Sequence, residues 1–245
     1  MNQYDILQIA RQQSAIDCHC QPEDFLKNEN VAVISLPDHH ARRYLKLPFS
    51  CQLVSYGHNI VASGSLQLLP TIQSYMNRYP DFTAFETPHI LELDHMLAPY
   101  GRHIHYMAEY FLPELSKLNP TAPLYSTRLL KQEDFHALYT PQWSHALCQE
   151  RAHLDIMGIG AYNHGQLIGL AACSMDCDHM WQIGIDVLPA YRKQGIAANL
   201  VAMLAKEILA CHKVPFYCCA WSNLASKRTA IKAGFRPAWV ELTAK

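Results

Sequence analysis

The sequence predicts an α/β protein of the α+β kind, with a mixed central sheet, helices on both faces, and a smaller α+β region in front. Two observations support this fold class. Residues 156–173 read as two strands joined at Asn163-His164-Gly165, residue types that favour a tight hairpin turn. Residues 180–243 then alternate strand, helix, strand, helix, strand, which is typical of crossover connections within one sheet.

The length predicts between one and two domains, since 245 residues compare with about 150 per domain. Residues 119–123 read Asn-Pro-Thr-Ala-Pro, and the two prolines favour an extended connector. We therefore expect one domain over residues 1–118 and a second over residues 124–245. Half of the residues are apolar and 17% are charged, so the chain can bury a sizeable core.

Charge and hydropathy exclude several classes of partner. The net charge is −1, from 20 Lys and Arg against 21 Asp and Glu, which is not the basic footprint of a nucleic-acid-binding protein. No apolar run approaches the roughly 20 residues that span a bilayer, so no membrane partner is expected. The first residues lack the basic and apolar regions of a signal peptide, which favours a cytoplasmic protein.

The nine cysteines predict reduced, mostly buried thiols rather than a disulfide framework or a metal site. Their number is odd, and no Cys-x-x-Cys occurs. The Cys18-His19-Cys20 segment and the Cys173/Cys177 pair come closest to metal-ligand spacing, but neither has the second pair that a zinc site needs. We expect no metal.

The elements of the C-terminal half follow from its apolar periodicity and its turn residues. Ile196, Leu200 and Leu204 recur every four residues on one helix face, and Gly234 stands where a left-handed helix cap belongs. The predicted strands are 124–130, 156–163, 166–173, 180–187, 214–220 and 235–243. The predicted helices are 131–139, 143–151, 195–211 and 223–233.

The N-terminal half predicts an α+β unit without a motif that indicates chemistry. Its predicted helices are 5–14, 23–26, 68–78 and 89–97, and its predicted strands are 31–35, 52–56, 60–63 and 103–111. The last of these strands alternates, with Tyr106 and Tyr110 on one face.

The segment that carries chemistry runs from residue 183 to residue 197. A strand ends at Pro189, and the basic turn Arg-x-x-Gly-x-Ala leads straight into an amphipathic helix. The first N–H groups of a helix have no intrahelical partner, and the helix dipole adds positive charge there. Arg192 and Lys193 add further charge, while Gly195 and Ala197 allow a phosphate to approach the backbone. The pattern predicts a diphosphate site; the alternative is a strand-turn-helix with an exposed basic turn.

Together with Ser222-Asn223 and the later Gly234-Phe235, this arrangement resembles the GNAT N-acetyltransferase superfamily over about residues 124–243. The resemblance implies acetyl-CoA as co-substrate, bound between two strands that splay apart. Val187 and Leu188 would pair with the pantetheine amides. The residues that would hold the pyrophosphate are Arg192, Lys193, Gln194, Gly195, Ile196 and Ala197.

The resemblance also implies individual roles. The backbone N–H of Val187 would polarise the thioester carbonyl. Asn223 would contact pantetheine, or would instead cap the following helix, and Ser226 would lie near the cofactor.

Two positions depart from the family pattern. Ala230 stands where a Tyr often protonates the leaving thiolate, and Trp181 stands where a Glu often acts as base. His179 shares the strand face of the expected base, and an imidazole suits that task. Asp186 would lie nearer the cofactor, but the sequence favours a structural hydrogen-bond acceptor over a catalytic base at this position. Among the acid candidates near the next strand, Tyr217 has the pKa that best matches a thiolate, the others being Ser222 and Cys219.

These features predict an acyl-CoA-dependent N-acetyltransferase in which a primary amine of a small molecule or peptide attacks the thioester directly. One alternative is an acyl-CoA-binding regulator or adaptor with little turnover. Another is a nucleotide-phosphate binder, although neither Gly-x-x-x-x-Gly-Lys-Ser/Thr nor Gly-x-Gly-x-x-Gly occurs.

The first 118 residues would line or cap the acceptor site. His103, His105, Tyr106 and Tyr110 are possible lining residues, a half-buried sheet face being the alternative. Many family members add one more strand after the one that ends this chain. Its place would be empty, filled by the N-terminal half, or filled by another subunit in a homodimer.

Overall fold

A computed structural model describes residues 1–245 and contains five α-helices and ten strands. The helices are α1 (Gln3–Cys18), α2 (Leu69–Arg78), α3 (Thr87–Leu97), α4 (Ile196–Ala210) and α5 (Leu224–Lys232). The strands are β1 (Val31–Ile34), β2 (Cys51–Ser55), β3 (Val61–Gly64), β4 (Ile104–Pro113), β5 (Ser126–Lys131), β6 (Asp155–Asn163), β7 (Gln166–Ser174), β8 (Met180–Val187), β9 (Val214–Ala220) and β10 (Phe235–Ala244). The mixed sheet with helices that the sequence predicts is confirmed.

The two helices predicted at 131–139 and 143–151 are wrong. That region contains short 3-10 turns at Gln132–Asp134, Pro141–Trp143 and Gln149–Leu154. The Asp134 carboxylate accepts the Lys131 N–H, as at the start of a helix, but no helical ladder follows this single turn. In the second segment, the carboxylates of Asp155 and Asp186, on β6 and β8, accept the N–H groups of residues 145, 146 and 148, so contacts with the sheet, rather than a helical ladder, fix this segment.

The chain divides into two compact units. The first unit contains residues 1–7 and 111–237, and the second contains residues 8–110 and 238–245. The chain passes from one unit to the other inside α1, β4 and β10. The sequence places its boundary at 119–123 instead, and the roles expected of residues 1–118 and 124–245 stay predictions.

The first unit holds the mixed sheet, in the order β4-β9-β8-β7-β6-β5. The strands β5 to β8 pair antiparallel, whereas β8 and β9 are parallel and are connected through α4. The turn between β6 and β7 has His164 at φ 47° and Gly165 at φ 83°, which two-residue hairpins require. The apolar face of α4 packs on this sheet, and Gly169 allows the close approach because a Cβ there would lie 3.1 Å from Ile196.

Beside β9, the sheet of the first unit continues with residues from before the predicted boundary. Residues 111–113 of β4 belong to this unit, and Phe111 is fully buried in its core. Just beyond β4, the Glu114 N–H donates to the carbonyl of Gly234. The N-terminal half therefore supplies the strand next to β9. Of the alternatives for the place of a further strand, this is the one in which the N-terminal half fills it.

The second unit has its own sheet and core. Its strand order is β1-β3-β2-β10-β4, with β1 and β3 parallel. Side chains from α2 and α3 pack against it, among them the buried Tyr75 and Leu93. Arg42, 2% exposed, forms ion pairs with the buried carboxylates of Asp17 and Glu241.

None of the nine cysteines forms a disulfide, and no group of three or more His, Cys, Asp or Glu side chains gathers in a way that could hold a metal ion. None of the helices combines the length and the apolar character needed to cross a bilayer.

Candidate functional site

The central feature of the first unit is a gap between β8 and β9. The two strands pair only over Met180–Gln182 and Val214–Phe216, although β8 continues to Val187 and β9 to Ala220. On its other side, β8 stays paired with β7 as far as Val187. Residues 183–187 therefore present one edge of the strand without a strand partner.

Val187 and Leu188 differ in which backbone groups are available. The Leu188 N–H donates to the carbonyl of Ile168, and its own carbonyl accepts from the Tyr191 N–H, so both groups are paired within the chain. Because hydrogen-bonded and non-bonded pairs alternate along an antiparallel ladder, the backbone groups of Val187 point away from β7 and toward the gap. The carbonyl of Val187 accepts from Arg192 Nε at 3.0 Å. Val187, rather than Leu188, has an N–H open to the gap.

The loop after β8 exposes the start of α4. Lys193 and Gly195 have φ angles of 64° and 83°, and Gly195 caps the helix without a side-chain hydrogen bond. The first intrahelical bond runs from Asn199 N–H to the Gly195 carbonyl, so the N–H groups of residues 196–198 have no intrahelical partner. A left-handed Lys is strained, and such strain is common where a loop clamps a ligand.

The side chains of this loop are disposed unequally. Arg192 and Lys193 are exposed, whereas Ile196 is buried in the core, so only its backbone can serve a ligand. The side chain of Gln194 is fixed by a residue outside the loop, since Tyr125 Oη donates to Gln194 Oε1 at 2.9 Å.

One cation at this loop was missed by sequence reasoning. Lys232, at the end of α5, places its Nζ 3.6 Å from the position that a Cβ on Gly195 would occupy. It also lines a cavity of about 280 Å³ together with residues 119–125 and α4. No local pattern marks Lys232, because only the packing of α5 beside α4 brings it there.

Asn223, Ser226 and Tyr217 form a connected group at the start of α5. The side chain of Asn223 accepts the Ser226 N–H at 3.1 Å and thus caps the helix. Tyr217 Oη lies 2.7 Å from Ser226 Oγ. Tyr217 is 3% exposed, and its burial raises the pKa of the phenol to about 12.

The structure does not bring His179 to this site. It is exposed at the entrance to β8, where its carbonyl accepts the Val214 N–H. Eight residues of extended strand, roughly 26 Å, separate it from Val187.

A different histidine, which sequence reasoning missed, lies near the end of β8. His145 Nδ1 is 3.0 Å from Asp186 Oδ1, and the other carboxylate oxygen of Asp186 accepts the N–H groups of His145 and Ala146. The predicted interpretation of Asp186 as a hydrogen-bond acceptor agrees with these contacts. The partner lies 41 residues away in sequence, so no spacing rule could have indicated it.

Comparison with known proteins identifies the family of this region. Residues 124–235 match the model of the acetyltransferase (GNAT) family. Residues 124–235 therefore form a domain of the GNAT family, here called the GNAT domain. A search of curated protein sequences finds no match.

Solved structures similar to the chain include other GNAT proteins. An acetyltransferase from the GNAT family from Colwellia psychrerythraea is 18% identical, with a TM-score of 0.46, over 58% of this chain and 57% of that one. A GCN5-related N-acetyltransferase-like protein from Streptococcus suis is 20% identical, with a TM-score of 0.47, over 62% and 67% of the two chains. An aminoglycoside N-acetyltransferase solved in complex with CoA is 21% identical, with a TM-score of 0.36, over 48% and 91%.

The GNAT domain buries both positions at which its sequence departs from the family pattern. Trp181 is 8% exposed and Ala230 is fully buried, and both belong to the core beneath α4. Neither side chain carries a group that exchanges a proton near neutral pH. Proton transfer in this domain would therefore need other residues.

Proposed function

We propose that the GNAT domain transfers an acetyl group from acetyl-CoA to a primary amine, which attacks the thioester carbonyl directly. The observation that carries the proposal is the open edge of β8, which ends at Val187 beside the uncapped start of α4. An acyl-CoA needs hydrogen-bond partners for its amides and a cationic site for its diphosphate, and these two features supply both.

Specific residues would hold each part of the co-substrate. The N–H groups at residues 196–198, with Lys193 and Lys232 nearby, would bind the diphosphate. The open edge of β8 would pair with the pantetheine amides, and the Val187 N–H would donate to the thioester carbonyl oxygen. The bound thioester supplies an activated acyl group, and the chain contributes alignment of the two reactants.

The acid expected from the sequence has a specific place in this proposal. The raised pKa of Tyr217 keeps its phenol protonated through the neutral range, as a proton donor must be. Ser226 would orient that hydroxyl, given the 2.7 Å separation of the two oxygens.

A second candidate function is an acyl-CoA-binding regulator with little turnover. The burial of Trp181 and Ala230 favours it, because the residues at the two usual proton-transfer positions are inert. The regulator and the enzyme share the same binding site and differ only in release of the thiol.

The test combines acetyl-CoA binding by calorimetry with thiol release in the presence of a panel of small amines and peptides. We expect the unmodified chain to bind acetyl-CoA and to release thiol with at least one amine. Binding without release would favour the regulator, and absence of binding would contradict both. Protection against heat by ATP or NAD, but not by CoA, would instead favour a nucleotide binder.

Gly195→Glu tests the diphosphate site directly. The substitution adds a carboxylate at the start of α4 and a side chain at φ 83°, so we expect acetyl-CoA binding to be lost. Gly165→Glu is the matched control, since Gly165 has the same φ in the exposed hairpin and no atom within 4 Å of an added Cβ. Unchanged affinity in Gly195→Glu would show that the diphosphate binds elsewhere.

The capping role of residues 1–118, the homodimer and the cytoplasmic location stay predictions.

A further inference from the structure

His145 is held in one orientation although its side chain is 82% exposed. Its Nδ1 lies 3.0 Å from Asp186 Oδ1, and an ionised carboxylate can only accept a hydrogen bond. In the neutral ring, Nδ1 is therefore the donor and carries the proton. The other ring nitrogen, Nε2, is left with a lone pair that can accept a proton.

The segment that carries His145 is fixed to β8 from both ends. Trp143, 4% exposed, and Leu147 anchor it in the apolar cluster on that face of the sheet. Between them, the backbone of residue 145 lies so close to Gly184 that a Cβ there would be 2.1 Å from the His145 carbonyl oxygen. Asp186 then accepts the N–H groups of His145 and Ala146.

The position of the imidazole relative to the open edge follows from strand geometry. Val187 lies on the α4 side, because its side chain is 3.4 Å from the position of a Cβ on Gly169, which also faces α4. Neighbouring side chains alternate, so Asp186 and His145 lie on the opposite side. His145 thus stands beside the end of the open edge, on the sheet face away from the diphosphate loop.

Strand β9 brings titratable groups across the gap from this pair. The pKa of the Tyr217 phenol is raised mainly by burial, then by the Cys219 and Cys218 thiols, and least by the charge of Asp186. On β8, Asp186 is the ionisable residue that contacts His145, and residues 141–144 and 146–147 carry no ionisable side chain.

We propose that His145 is the general base of this domain and that Asp186 is its positioning residue. The inference rests on the proposed acetyl transfer. The ammonium form of the acceptor gives one proton to Nε2, and the imidazolium that forms is paired with the Asp186 carboxylate. The neutral amine forms the N–C bond as the C–S bond breaks. Its second proton ends on the departing sulfur, and the imidazolium returns its proton to water.

The test uses His145→Gln and Asp186→Asn in the full chain, with His136→Gln as the matched control. His136 is another exposed histidine of the same unit without a hydrogen-bond partner in the structure. Thiol release from acetyl-CoA is measured against pH with the amine that reacts fastest. We expect His145→Gln to lower kcat by about 10²- to 10⁴-fold, with little change in the KM for acetyl-CoA. We also expect the pH profile of its remaining activity to differ from that of the unmodified chain.

A second readout needs neither substrate nor turnover. Imidazole ¹⁵N spectra of the free protein should show His145 with its proton on Nδ1, and Asp186→Asn should shift the proton toward Nε2. Asp186→Asn should also lower kcat, by less than His145→Gln.

Each result decides a separate point. Turnover in His145→Gln at the rate and pH dependence of the unmodified chain overturns the base while leaving acetyl transfer intact. A proton found on Nε2 in the unmodified chain overturns the positioning role of Asp186. No thiol release from the unmodified chain, despite acetyl-CoA binding, overturns the proposed transfer and this base with it.

Discussion

At the residue scale, the candidate diphosphate site combines backbone and side-chain charge from separate parts of the sequence. Lys193 and Gly195 shape the loop through their positive φ angles, which aim the N–H groups at the start of α4 outward. Lys232 adds an ammonium group from α5, beside Gly195. The site therefore has more positive charge than its Arg-x-x-Gly-x-Ala motif indicates.

Lys232→Ala tests that added charge. We expect acetyl-CoA affinity to fall roughly tenfold or more, because a charge-assisted hydrogen bond contributes about 1.5–3 kcal/mol. The loss should shrink at high salt, which screens exposed charges. Calorimetry provides the measurement, and Lys206→Ala, an exposed lysine on α4, is the control. A CoA fragment without the phosphates should bind Lys232→Ala and the unmodified chain with equal affinity. An unchanged Kd of Lys232→Ala for acetyl-CoA would refute the assignment.

At the element scale, residues 141–147 show why the predicted helix 143–151 is replaced by a fixed coil. The 3-10 turn at Pro141–Trp143 is too short to bury a helical face, and it is held instead by Trp143 and by the Asp186 carboxylate. Gly184 makes this contact possible because it has no Cβ. The backbone of the segment, rather than a helix, covers this part of β8.

Gly184→Ala should displace the segment from β8. The added carbon would meet the His145 carbonyl oxygen at 2.1 Å, so we expect a loss of roughly 1–3 kcal/mol in stability from overpacking. The hydrogen bond between His145 and Asp186 should be lost as well. Denaturant unfolding measures the stability, and the ¹⁵N imidazole spectrum measures the hydrogen bond.

Gly57→Ala is the control for Gly184→Ala, since no atom lies within 4 Å of the added carbon there. The Gly57→Ala substitution should lower the stability only by the strain of its positive φ, and it should leave the His145 spectrum unchanged. An unchanged His145 signal in Gly184→Ala would contradict the predicted loss of the hydrogen bond between His145 and Asp186.

At the scale of the whole molecule, both units bury tyrosines. Burial raises the pKa of Tyr217 and of Tyr139 to about 12, and raises those of Tyr56 and Tyr75 further. In the unfolded chain these phenols ionise near pH 10. The folded state therefore binds more protons than the unfolded state above that pH.

The sign of this difference predicts loss of stability in alkali. A raised folded-state pKa gives a contribution that is fully present below pH 10 and is lost as the pH rises through about 12. We expect the Tm to fall steeply in that window, together with the appearance of phenolate absorbance. Tyr4→Phe, an exposed tyrosine, should leave the fall unchanged, whereas Tyr217→Phe should make it shallower. A Tm that stays level between pH 10 and pH 12 would contradict the prediction, since exposed tyrosines such as Tyr4 contribute phenolate absorbance there in any case.

Local pattern was enough to predict most of the elements. The predicted strands 180–187 and 214–220 coincide with β8 and β9, because their apolar runs are bounded by proline or by charged turns. The helices α4 and α5 begin and end within a residue or two of their predicted limits, since their caps lie in the adjacent residues. The predicted helices 131–139 and 143–151 are wrong, because the first forms a single 3-10 turn and the second is fixed by carboxylates on the sheet strands β6 and β8.

The sequence by itself determined the order of the strands and of the helices α4 and α5 in the C-terminal half, the family resemblance, and the loop from Arg192 to Ala197. These depend on neighbouring residues, whose periodicity, φ preferences and capping are local properties. Only the tertiary structure decided the position of β4 beside β9, the approach of Lys232 to Gly195, and the pairing of His145 with Asp186. Each of these contacts joins residues far apart in the chain, and they meet because apolar packing, which is non-directional, brings their elements together. The residues proposed for proton transfer therefore lay outside every motif that the sequence presents.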